Sequence, residues 1–181
     1  MKRRAVFLDR DGVLNRVVVR EGKPYPPANV SEVEILPGAT DALQRLKNSG
    51  FILIVVSNQP DVARGTTSKE SVEAINAYLA SSLPVDRFIM CYHDSEDGCD
   101  CRKPRPGMLL TAAGEFDVDL DSSYIVGDRW RDVEAGIAAG CRAFFIDYGY
   151  DEKQPKSNYI KVSSLYEAAL IILKGDRSEK N

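Results

Sequence analysis

Histidine and tryptophan each occur once in this chain of 181 residues, and neither sign of charge dominates. Lysines and arginines number 24 against 27 aspartates and glutamates, for a net charge of −3. No long basic run is present, so the chain carries no electrostatic footprint for nucleic acid. Long hydrophobic runs are missing as well. The basic start Met1-Lys2-Arg3-Arg4 is followed by four apolar residues, Ala5–Leu8, and then by Asp9. That is too short for a signal-peptide core, and no stretch approaches the length a bilayer span needs. Repeats, low-complexity tracts and an obvious exposed apolar stripe are also absent. The expectation is a cytoplasmic monomer with no nucleic-acid or membrane partner. Apolar residues make up 44% of the chain, ample for one core. The whole of 1–181 is therefore read as one domain.

Apolar runs and helical spacings alternate along the chain. Ala5–Asp9, Phe51–Ser57, Arg87–Cys91, Ser123–Gly127 and Arg142–Asp147 read as strands. Between them, helices are predicted over Pro37–Lys47, from Thr67 (a capping box with Glu70) to Ser82, from Pro106 onward, over Asp132–Ala139 and over Ser163–Leu173. Residues 174–181 read as a charged, frayed tail. Such alternation predicts an α/β fold, a parallel sheet with helices on both faces. Two long connections interrupt the rhythm: residues 16–36, rich in proline, and residues 91–106. Long loops inside a compact domain are usually functional.

Chemistry gathers at the predicted strand ends. Asp9 and Asp11 follow the first strand, and Ser57-Asn58-Gln59 the second. Gly127-Asp128-Arg129 follows a later one, with Asp132 four residues on, and Lys103 lies in the second long loop. In an open parallel sheet these groups converge on the edge where ligands bind. Two acids there are costly unless a cation relieves them. The set suits phosphoryl transfer with Mg²⁺, for which Asp9 and Asp128 can supply carboxylates. One acid can attack phosphorus and another, one residue away, can handle the proton. Ser57 offers a hydroxyl and Lys103 a charge to the phosphate.

Three of the four cysteines and the lone histidine fall within eleven residues, as Cys91-x-His93 and Cys99-x-Cys101. Three thiols and an imidazole match a closed, tetrahedral zinc site. Its expected use is to stiffen the loop that carries Arg102 and Lys103. Cys141 stands apart and reads as core filling.

The succession DRDGVLN, SNQ, CRKPRPGM and GDRWRD resembles the haloacid dehalogenase (HAD) superfamily of phosphatases. The resemblance implies a Rossmann-like three-layer α/β/α sandwich without a large cap domain, carrying a small zinc-binding loop. It further implies Asp9 as nucleophile and Asp11 as general acid/base. Magnesium would be held by Asp9, Asp128 and the backbone carbonyl of Asp11, and zinc by Cys91, His93, Cys99 and Cys101. The zinc loop and the segment Asn58-Gln59…Ala63-Arg64-Gly65 are similar to the heptose-1,7-bisphosphate 7-phosphatase branch and its histidinol-phosphatase relatives. That likeness implies a small sugar bisphosphate as substrate, in nucleotide-activated heptose synthesis. Ser57, Asn58, Gln59, Arg64, Arg102, Lys103 and Arg129 would be its contacts, and the loop at 16–30, with Arg16, Arg20 and Lys23, would meet the sugar. Two alternatives stand beside this reading: a histidinol-phosphate or other small phosphatase, and a module that binds phosphosugars without turning them over.

Overall fold

The computed structural model describes residues 2–178. In chain order its regular elements are β1 (Ala5–Leu8), β2 (Val18–Arg20), β3 (Lys23–Tyr25), α1 (Ala39–Asn48), β4 (Ile52–Asn58), α2 (Lys69–Ser82) and β5 (Arg87–Cys91). There follow α3 (Gly107–Phe116), β6 (Tyr124–Gly127), α4 (Trp130–Ala139), β7 (Arg142–Ile146), β8 (Ile160–Val162) and α5 (Leu165–Ser178). Six strands form one sheet in the order β5-β4-β1-β6-β7-β8, every pairing parallel.

The core has two layers because the central strands are apolar on both faces. Val6 and Leu8 of β1, with Leu53 and Val55 of β4, pack against α1, α2 and α5. Ala5, Phe7, Ile52 and Ile54 point the other way, into Met108, Leu109 and Ala112 of α3 and Val133 and Ala135 of α4. This is the three-layer sandwich expected from the sequence. β1 is the pivot: the chain leaves it for β4 and β5 on one side, then returns for β6, β7 and β8 on the other. Residues just past β1 thus lie at a topological switch point, where open sheets form their ligand crevice.

Several boundaries differ from the sequence-based expectation. The α2 cap is Ser68, whose hydroxyl accepts from the Ser71 N–H, rather than Thr67. α4 starts two residues earlier, at Trp130, because Asp132 reaches back to accept from the Arg129 N–H and closes the first turn. α5 opens on Ser164, which accepts from the Glu167 N–H, and continues to Ser178. Residues 174–178 of the expected tail are therefore helical, while 179–181 lie outside the described residues. Two strand features carried too little apolar pattern to be seen. One is β8, and the other is the antiparallel hairpin β2–β3 within the connection 16–36.

Candidate active site

The parallel sheet delivers Asp9, Ser57 and Asp128 to one edge, each at or just beyond the carboxyl end of a central strand. Lys103 arrives from the loop between β5 and α3, and its side chain is fully buried. Its ammonium lies 3.0 Å from Asp9 Oδ1, 2.6 Å from Asp132 Oδ1 and 2.7 Å from the Val56 carbonyl. An ammonium has three donors, so all three are spent. Burial works against that charge, yet Asp132 and then Asp9 hold the lysine pKa above its ordinary range.

Oxygens of Asp9, Asp128 and Asp132 lie within 4.8 Å of one another, all buried. Asp132 is consumed by the protein, one oxygen on Lys103 and the other on the Arg129 N–H. Asp9 uses Oδ1 for Lys103 and the Arg10 N–H. Asp128 takes the Tyr150 hydroxyl on Oδ2, at 2.9 Å, and its buried Oδ1 has no hydrogen-bond partner among the described residues. Burial, then the Asp132 charge, pushes Asp9 up to about 6. Burial, then Asp9 and Asp132, raises Asp128 well above the usual carboxylate range. A hard cation served by one or two carboxylates fits this donor set. The unsatisfied Asp128 oxygen is the observation that favours it, because buried acceptors are rarely left unpaired. Gly12 makes the close approach possible. Its φ is +86°, and a Cβ there would lie 2.0 Å from Asp128 Oδ2.

Asp11 is held differently. Arg10, with no exposed surface, brackets its carboxylate from Nε and a terminal nitrogen at 3.0–3.3 Å and reaches Asn76 of α2 at 2.9 Å. Asn15 and Gln59 donate to the same carboxylate at 2.9 and 2.8 Å. The Gln59 amide also donates to Ser57 Oγ, 3.0 Å away, linking the ends of β1 and β4. Asn58 spends its amide on the Lys103 backbone, donating to the carbonyl and accepting from the N–H, each at 3.0 Å. It fixes the lysine loop. These bracing roles of Arg10, Asn15, Asn58, Asp132 and Tyr150 carry little sequence signal. Asn58 and Asp132 stand out in the sequence only by their place near strand ends, and Arg10 only by its place between two acids.

The four predicted zinc ligands meet. Cys91 Sγ lies 3.7 Å from His93 Nδ1 and from Cys99 Sγ, and 3.1 Å from Cys101 Sγ. Cys101 Sγ is 3.3 Å from His93 Nδ1 and 3.5 Å from Cys99 Sγ. No disulfide forms, and all four cysteines of the chain are free. A tetrahedron with zinc–sulfur bonds of ~2.3 Å has edges of about 3.8 Å. The cluster is therefore slightly contracted but of the right shape. Burial pushes the Cys91 thiol up to about 12, so a metal charge is what would make it a thiolate.

These groups line a cleft of about 680 Å³, within the usual range for small-molecule sites. The β2–β3 hairpin forms part of its wall through Lys23, Pro24 and Tyr25. Arg16 instead pairs with Glu34 on the surface, and Arg20 lies over Tyr25. Arg64, Arg102 and Arg129 all line the cleft, and all are engaged by the protein. Arg64 makes a bidentate pair with Asp94 at 2.6 and 2.7 Å, and Arg129 one with Glu152 at 2.6 and 2.5 Å. Arg102 donates to the His93 carbonyl at 3.1 Å.

Residues 100–168 match the HAD-hydrolase-like family. Over 147 residues the chain is 37% identical to the D-glycero-β-D-manno-heptose-1,7-bisphosphate 7-phosphatase of Escherichia coli K12, covering 75% of this chain and 74% of that one. It is 36% identical over 148 residues to the Pasteurella multocida phosphatase of the same name, covering 76% and 77%. The structure is similar to that of D,D-heptose 1,7-bisphosphate phosphatase from B. bronchiseptica, solved with magnesium and phosphate. The TM-score is 0.81, with 31% identity, over 95% of this chain and 99% of that one.

Proposed function

The chain belongs to the HAD-like hydrolases, in the branch of the heptose-1,7-bisphosphate 7-phosphatases, and on that footing we propose that it removes the 7-phosphate of a D-glycero-D-manno-heptose 1,7-bisphosphate. The observation that carries the proposal is the strand-end cluster in which Asp9 and Asp128 face one another beside a buried Lys103. Mg²⁺ would be held by Asp9 and Asp128, where it would supply positive charge to the phosphoryl oxygens and let the buried acids stay ionised together.

Asp9 is the nucleophile. Its carboxylate attacks phosphorus while the bond from phosphorus to the sugar oxygen breaks, leaving an aspartyl phosphate. Asp11 gives its proton to the departing alkoxide. It then takes a proton from water, whose oxygen displaces Asp9 and releases inorganic phosphate. Lys103 keeps Asp9 oriented and adds charge to the phosphate side, and Ser57 donates to a phosphoryl oxygen. Zn²⁺ would be held by Cys91, His93, Cys99 and Cys101 in a structural role, with no ligand position left open. It would fix the segment from which Arg102 and Lys103 enter the cleft.

Phosphate release from both anomers of the heptose bisphosphate, with histidinol phosphate alongside, tests the reading. The expected result is rapid release from a heptose anomer in Mg²⁺, slow release from histidinol phosphate, and loss of both in Asp9→Asn. Preference for histidinol phosphate would replace the substrate. Tight binding of the bisphosphate without release would replace the activity.

A further inference from the structure

Three cations that line the cleft stand apart from the paired arginines. Arg131, Lys153 and Lys23 face it, and among the described residues none of the three side chains makes a hydrogen bond or a carboxylate ion pair, although the Glu134 charge acts on Lys153 from a longer range. Arg131 and Lys153 meet at one side chain, the sole tryptophan. The Arg131 guanidinium carbon lies 4.6 Å from the centre of the Trp130 ring, and Lys153 Nζ lies 3.6 Å from it. Trp130 itself lines the cleft, at the start of α4 and two residues from Asp128. An aromatic face holds a cation in place without neutralising it. A carboxylate in bidentate contact does the reverse, occupying the donors and cancelling the charge.

We propose that Arg131 and Lys153, organised on Trp130, form the subsite for the second phosphate of the substrate and set the preference for a bisphosphate over a monophosphate. This rests on the phosphatase reading above and assigns its specificity to residues other than the paired Arg64 and Arg129. Local charge agrees with the geometry. Burial, then the neighbouring Arg129 and Arg102, pushes the Arg131 guanidinium below its ordinary range, and Glu152 and Asp132 offset only part of this crowding of positive charge. A phosphate dianion relieves that crowding and finds a planar, two-donor fork on Arg131. Trp130 lies just beyond the magnesium-binding strand end, so the subsite adjoins the reacting phosphate in the same cleft without sharing its ligands.

The test is the ratio of kcat/KM for a bisphosphate to that for its monophosphate. It is measured for the heptose 1,7-bisphosphate and 7-phosphate pair, and for the fructose 1,6-bisphosphate and 6-phosphate pair, in wild type, Arg131→Ala, Arg131→Lys and Lys153→Ala. The exposed Lys153 gives a variant that does not depend on how α4 tolerates change. The expected result is a ratio at least tenfold lower in Arg131→Ala, carried mainly by KM, with partial recovery in Arg131→Lys and a smaller loss in Lys153→Ala. Selectivity for the fructose pair alone, lost in Arg131→Ala, would overturn the heptose reading and support the subsite. Ratios within twofold of wild type in Arg131→Ala and Lys153→Ala, or a wild type that prefers neither bisphosphate, would overturn the subsite.

Discussion

The carboxylate centre and the Cys/His cluster are both gatherings of metal-ligating side chains, and they are built in opposite ways. The first draws its oxygens from the ends of β1 and β6 and from α4, all fixed by the sheet, and keeps them buried. The second takes Cys91 from the last residue of β5 but His93, Cys99 and Cys101 from the connection between β5 and α3, where Cys99 and Cys101 are only partly buried against the core. A rigid scaffold can hold like charges together and leave one oxygen unsatisfied for a ligand. A loop needs its ligands fully used, because the metal is then what holds it. The two meet at Lys103, two residues beyond Cys101, whose ammonium reaches across to Asp9. On the proposed reading, a soft, closed centre would position a charge for a hard, open one.

Breaking one centre at a time separates their duties. Asp9→Asn is expected to lower kcat by at least about a thousandfold, while metal analysis still finds one zinc per chain. Zinc loss from the variant would show that the two centres are not independent. Cys101→Ser should act on the other side, destabilising the fold by about 3 kcal/mol, roughly 6–12 °C in Tm. Its activity should fall in step, since Lys103 loses its anchor. Full activity in a zinc-free preparation would remove the link between the centres.

Smaller changes sharpen the contrast. Asn58→Ala deprives the Lys103 N–H and carbonyl of their partner and should cost about 1–3 kcal/mol. The loss would be read as a lower denaturation midpoint together with reduced kcat, at unchanged zinc content. Unaltered kcat would mean that the zinc loop alone fixes the lysine. Tyr150→Phe deletes the hydroxyl on Asp128 and should raise the Mg²⁺ concentration for half-maximal activity about tenfold, with little effect on Tm. An unchanged magnesium requirement would detach Tyr150 from the metal site.

How much of this could be read beforehand depends on how far apart the partners lie in the chain. Asp9 and Asp128 are legible because each follows a short apolar run that can only be a buried strand, and Cys91 because it closes one. The cysteine spacing and the lone histidine are likewise local facts. Asn58 looked like a substrate contact because its neighbours do. The structure shows its amide bonded to backbone atoms of Lys103, 45 residues away, in the wall of the cleft. Arg64 and Arg129 read as substrate contacts, and the carboxylates they pair with, Asp94 and Glu152, sit 30 and 23 residues on. The hairpin β2–β3 escaped notice because its six residues include Arg20, Lys23 and Pro24 and bury almost nothing.

Sequence alone determined the layered α/β fold, the family, and the residues that stand at the strand ends, because apolar periodicity and short motifs act over a few residues. Only the tertiary structure decided which of the cleft's charges are cancelled and which remain available. Asp132 was placed by the sequence near the third strand end, but its two hydrogen bonds, to Lys103 and to Arg129, set it apart from Asp128. Arg131 carries the same formal charge as Arg129 two residues before it, yet one faces an aromatic ring and the other a carboxylate. Electrostatic availability depends on pairing and burial across distant segments, and those are fixed only when the chain has closed around its sheet.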